Sequence, residues 1–187
     1  MDKIRAKLKK IFTLKRVLFV TIFFIACLAW FKYIAGIILV VIFTPITIMI
    51  IRYSRFIPHV TADNNLAFAC LMGFLFGPVI SVLYALIVGM ISLVVNSHVK
   101  IPSLASLMLA AVGSVFCTLL GAQFHMSFST SFMIVAVVRT FVALPIFNLL
   151  GVSPIENISH QTSQMLCNLI IYLPLLSLLY KIIAPFV

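Results

Sequence analysis

From Val17 to the C-terminus the sequence is a succession of apolar runs, residues 17–31, 34–51, 66–95, 101–122, 131–150 and 163–183, separated by short polar stretches. An α-helix crosses the roughly 30 Å hydrocarbon core of a bilayer in about 20 apolar residues. Only helices and closed barrels satisfy their backbone polar groups in lipid, and unbroken apolar runs lack the alternation of a barrel strand. The chain is therefore expected to be all-α, a polytopic membrane helical bundle. Composition agrees: of 187 residues 64% are hydrophobic and 9% charged, too few charges to cover a soluble surface, and the mean hydropathy of +1.29 excludes disorder. Length caps the number of spans at six to seven and leaves no room for a separate soluble catalytic domain.

The count turns on residues 66–95, where Gly77-Pro78 interrupts the run. Proline removes a backbone donor and disfavours helix in the residue before it, so a short helix over 66–76 followed by a second over 79–95 is expected. A span that short is tolerated where its end lies within protein. Seven of the 13 basic residues fall in the first sixteen positions. Residues 1–16 thus read as a basic cytoplasmic segment in contact with membrane lipids, and 17–187 as one transmembrane domain in the plasma membrane with its N-terminus cytoplasmic. No aromatic-basic pattern accompanies these charges, so nucleic acid is not an expected partner. No small-x-small cleavage site follows residues 17–31, so they are read as a span and not as a signal peptide.

Arg139 stands deep in the run 131–150, where a central arginine costs at least about 2.5 kcal/mol and needs compensation. Two readings are open: a tilted span brings it to an interface, or it faces the bundle interior to hold an anion or pin carbonyls freed by Pro145. No run contains an acid, since Asp2, Asp63 and Glu156 all lie in polar segments. In the last run His160, Gln164 and Asn168 recur every fourth residue, and Tyr172 continues the series, so they share a face. The run 101–122 carries two small-residue ridges, Ser106, Ala110, Ser114, Thr118 and Ala122 beside Gly113, Cys117 and Gly121, which permit close packing within the bundle or against a partner helix. Gly73 and Gly77 form a further Gly-x-x-x-Gly. Cys27, Cys70, Cys117 and Cys167 form no Cys-x-x-Cys pair, and no metal or cofactor is expected. Paired carboxylates, nucleophile elbows and Walker loops are absent from the sequence, which points away from an enzyme.

The order of a polar loop with Phe56-Ile57-Pro58, a short helix ending Met72-Gly73-Phe74-Leu75-Phe76-Gly77-Pro78, and a small-residue helix up to Asn96 resembles the substrate-binding S components of energy-coupling-factor transporters. The rod-shape-determining membrane proteins have a similar architecture. The S-component resemblance implies a membrane subunit that binds a vitamin or other small metabolite for uptake, with partner subunits supplying ATP hydrolysis. Substrate contacts are expected from Arg139, Gln164, Asn168 and His125 in a cavity near the outer face. Packing or partner docking is expected from Gly73, Gly77, Pro78, Ser106, Ala110 and Ser114. The alternatives are a non-catalytic scaffold that recruits protein partners and a lipid-handling protein.

Overall fold

In the computed structural model, residues 33–54, 64–97 and 99–187 are described, together with Phe19 and Thr21. The basic segment 1–16, most of the run 17–31 with Cys27, and the loop residues 55–63 lie outside them. Among the described residues from 33 onward six helices follow one another: α1 (Tyr33–Ser54), α2 (Asn65–Phe76), α3 (Pro78–Val95), α4 (Ile101–Phe124), α5 (Phe128–Leu149) and α6 (Pro154–Phe186). All but α2 are long and apolar enough to cross a membrane, as expected of a membrane-embedded, multi-pass protein. The chain divides into two units, Met1–Ala35 and Gly36–Val187, and the packing and cavity described below belong to the second.

Gly77 separates α2 from α3 by adopting φ +98°, a value favourable only for glycine, and Pro78 then takes the first position of α3, where its missing N–H is harmless. The two helices fold back as an antiparallel hairpin, with Ser81 Oγ donating to the Ala69 carbonyl at 2.9 Å and Asn65 Nδ2 to the Ala85 carbonyl at 3.0 Å. As a result Ser54 and Lys100 share one end of the bundle and line one cavity there.

The hairpin's short arm is the centre of the fold. From Asn65 to Gly73 every residue of α2 is buried, as an apolar helix without a polar face requires. Phe68 shows how the neighbours surround it. Its ring stacks on Phe43 of α1 at 4.4 Å and meets Tyr84 of α3 and Tyr172 of α6 edge-on at 6.5 and 6.3 Å. Tyr84 opens a π-helical turn (Tyr84–Val88) and Tyr172 closes another (Asn168–Tyr172), so both widened turns adjoin this ring. A second aromatic cluster, Phe74, Phe128, Phe132 and Tyr180, ties α2 to α5 and α6 at the other end.

The small residues of α4 admit α2 and α5. Ala110, Ser114 and Cys117 are fully buried, and a Cβ on Gly113 would sit 3.0 Å from Leu66 and 3.3 Å from Val135. Ala110, Gly113, Ser114 and Cys117 are thus used in packing inside the bundle. Apolar side chains on the outer faces, among them Ile38, Val41 and Ile42 of α1, Met108 and Val112 of α4 and Phe141 of α5, are exposed, as lipid-facing residues should be. Gly73 is the tightest point, because an added Cβ would overlap Thr118 Oγ1 and press on Ser81 at 3.1 Å. Gly73→Ala is expected to cost about 1–3 kcal/mol. Gly36→Ala, whose Cβ would meet only the Phe76 ring at an ordinary 3.5 Å, should leave stability unchanged or raise it by up to about 1 kcal/mol through helix propensity. Thermal melting of the two purified variants checks the contrast.

Candidate functional site

α6 begins earlier than its apolar run. Residues 151–162 are expected to be a loop, but the helix starts at Pro154, because Ser153 caps it by accepting from the Glu156 N–H and Pro154 fills its first position. The Ser-x-x-Glu capping pattern at 153–156, with proline between, was the available signal for this start. The added turns make α6 33 residues long, about 50 Å at 1.5 Å per residue, well beyond a hydrocarbon core. Its first turns supply one wall of a cavity of about 570 Å³ at the end of the bundle. The C-terminal ends of α1, α3 and α5 and the N-terminal ends of α2, α4 and α6 surround this space. Its polar lining includes Asn65, Lys100, Ser103, Ser106, Glu156, Asn157, His160 and Gln161, and its apolar lining Ile51, Leu93, Leu107 and Phe147.

The polar face of α6 is rotated from the expected one. His160 is exposed, whereas Asn157, Gln161, Gln164 and Asn168 are each no more than 2% exposed and Tyr172 is buried below them. Gln161 and Asn157, unforeseen as site residues, therefore continue the line of Gln164 and Asn168 toward the cavity, and His160 lies at its side. Asn157 also joins α6 to α5, its Nδ2 donating to the Leu144 carbonyl at 2.8 Å beside Pro145 and to Asn148 Oδ1 at 2.7 Å. Farther along, Ser129 and Ser177 hydroxyls pair at 2.8 Å. These two ties fix the antiparallel register, and between them Arg139 falls level with Gln164.

Arg139 is 5% exposed, in the middle of α5 and inside the bundle, which selects the interior reading over the interfacial one. Its Nη2 donates to Ser106 Oγ at 2.7 Å, and its charge lies within electrostatic reach of Cys70 on α2. Because Ser106 lines the cavity, the guanidinium stands directly behind the cavity wall. Gln164 and Asn168 lie at its depth or deeper and are absent from the lining. His125 is elsewhere. It ends α4 with φ +53° at the opposite end of the bundle, about 28 Å along the helix axis from Ser106. Of the four residues expected to touch a substrate, the fold thus gathers Arg139, Gln164 and Asn168 into the interior below the cavity and separates His125 from them.

Gly73, Gly77 and Pro78 belong to the α2–α3 hairpin, and Ala110 and Ser114 to the α4 packing face, away from the cavity. Ser106 alone of that set joins the cavity. Among the described residues, no three His, Cys, Asp or Glu side chains come together to hold a metal ion. The described cysteines, Cys70, Cys117 and Cys167, are free thiols. No protein-family model, curated protein or solved structure matches the chain.

Removing the Ser106 hydroxyl takes a partner from a buried charge. Ser106→Ala should cost about 1.5–3 kcal/mol. Arg139→Leu should melt above Arg139→Ala, since both remove the buried charge and leucine leaves the smaller cavity. Melting curves of the three variants in one detergent test both statements.

Proposed function

We propose that the chain is a membrane-embedded binding subunit for a small polar metabolite, with six or seven spans, an S-component-like architecture, and partner subunits that supply ATP hydrolysis for uptake. The observation that carries this reading is the cavity. Its volume lies in the range of small-molecule sites, and apolar walls with a few convergent polar groups are what such sites require. A scaffold that merely packs its polar residues against one another needs no such space. Arg139 contributes positive potential through Ser106 while staying out of lipid, which favours a ligand bearing an anionic group.

The charge bias orients the subunit. The cavity end of the described helices carries Arg52 and Lys100, the other end Lys181, and the positive-inside bias puts the end richer in basic residues in the cytoplasm. The cavity then faces the cytoplasmic membrane surface, not the outer face expected from the sequence. In an uptake cycle this is the releasing side.

Thermal shift of the purified full-length protein against a panel of carboxylates, phosphates, sugars, vitamins, nucleosides and amino acids tests the proposal. At least one compound should raise the melting temperature in a concentration-dependent way, by an amount corresponding to about 2.7 kcal/mol at 100 times Kd. Ser103→Phe, which fills the cavity from α4, should abolish that shift. A panel with no stabilising member at millimolar concentration would sink the binding-subunit reading.

A further inference from the structure

We propose that the first half of α6, Pro154–Cys167, is a hinged arm that tilts away from α5 and extends the cavity down the amide row to Arg139. The movement is a property of the fold and does not depend on what the cavity holds.

The arm is held differently from the rest of its helix. Its buried residues are three amides, Asn157, Gln161 and Gln164, and none of its apolar side chains is buried. The apolar core takes in α6 only from Cys167 onward, through the buried Tyr172 and Leu176 and the partly buried Leu173, Leu179 and Tyr180. Among α2–α5 the arm packs mainly on α5, whereas the second half of the helix lies against α2 and α5 together. Apolar packing therefore anchors the second half and leaves the first to hydrogen bonds.

The latch among those bonds is Asn157. Its Nδ2 donates to the Leu144 carbonyl at 2.8 Å and to Asn148 Oδ1 at 2.7 Å. Against it stand Asn157 Oδ1, Gln161 Oε1 and Asn168 Oδ1, which are shut off from solvent and have no hydrogen-bond partner among the described residues. A buried acceptor without a donor costs free energy, so a tilt that lets water into the seam satisfies all three.

The arm ends where its helix is weakest. The π turn Asn168–Tyr172 follows it directly, and Pro174, two residues on, has no N–H to offer the Ile170 carbonyl. Beyond this hinge Tyr172 meets the Phe68 ring edge-on and Ser177 pairs with Ser129, which holds the second half in place. At the other end the link 150–153 contains Gly151 at φ +83°, and four residues reach about 13 Å. Asn157 stands about 16 Å from Asn168 along the axis, so a tilt of about 15° carries it about 4 Å, enough to break both latch bonds within the reach of that link. Asn157 and Gln161 border the cavity and Gln164 is level with Arg139, so the opened seam leads from the cavity to the guanidinium.

The experiment uses the full chain in lipid nanodiscs, with Cys27→Ser and Cys167→Ser to remove two thiols and Gln164→Cys as the reporter. A water-soluble maleimide is added and the labelled positions are followed by mass spectrometry. The native Cys70 and Cys117, fully buried on α2 and α4, report any general loosening. The expected result is slow labelling at position 164 that becomes about tenfold faster with Asn157→Leu, while Cys70 and Cys117 stay unlabelled. Pro174→Ala, which restores the missing donor, should slow it again. If Asn157→Leu fails to fold by its melting curve, Asn148→Ala, at an exposed position, removes one of the two latch acceptors and is read in its place, with a rise of at least about threefold. A rate at position 164 that these variants leave unchanged, or one that rises together with labelling of Cys70 and Cys117, overturns the inference.

Discussion

The unbroken burial of α2 from Asn65 to Gly73 is the constraint on which the rest of the bundle depends. A helix with no polar face, placed at the centre, must be approached closely on every side, and the approach is possible only where its own surface or its neighbour's is small. Gly73 against Thr118, Gly113 against Leu66 and Gly121 against the Phe74 ring are those places. Once they are set, α4 can lie along α2, α5 can lie along α4, and the Phe68 ring can be enclosed by Phe43, Tyr84 and Tyr172. The two π-helical turns beside that ring are the local adjustment by which long helices bend around a short one.

Because α2 spans only 12 residues, its N-terminus stops inside the bundle, where Asn64 and Asn65 are buried. Their side chains tie that end to the neighbouring helices. Asn64 donates to Thr47 on α1 at 3.2 Å, and Asn65 to the Ala85 carbonyl beside the α3 π-turn. Thr47 in turn pairs with Tyr84 at 3.1 Å, which makes a polar link across three helices near the cavity. The space between this shortened helix and the overlong α6 is what the surrounding helix ends enclose.

Polar chemistry inside the membrane follows from the same geometry. Arg139 is placed at mid-helix and is tolerated because α4 offers Ser106 and the bundle excludes lipid from it. Asn157 bridges α6 to the α5 backbone beside Pro145, the point where that helix lacks an internal donor. The line from Asn157 through Gln161 and Gln164 to Asn168 runs from the cavity into the bundle core. The interior of the bundle and the wall of the cavity therefore share one row of side chains.

The sequence by itself determined the helical class, the membrane environment and most helix limits, since run length, Gly77-Pro78 and the small residues of α4 are local signals read without knowing the neighbours. It also marked Arg139 as an interior problem, because no acid lies in any apolar run. It did not reveal the cavity. The first turns of α6 are polar and look like a loop until Ser153 and Pro154 are read as a helix start, and a periodicity of four selects His160 where the true buried face passes through Asn157 and Gln161. His125 lies only fourteen positions before Arg139 in sequence but at the far end of the bundle, since α5 carries the chain back from it. Which polar residues meet depends on the antiparallel register of α5 and α6 and on the ends of helices distant in sequence, and only tertiary packing settles that.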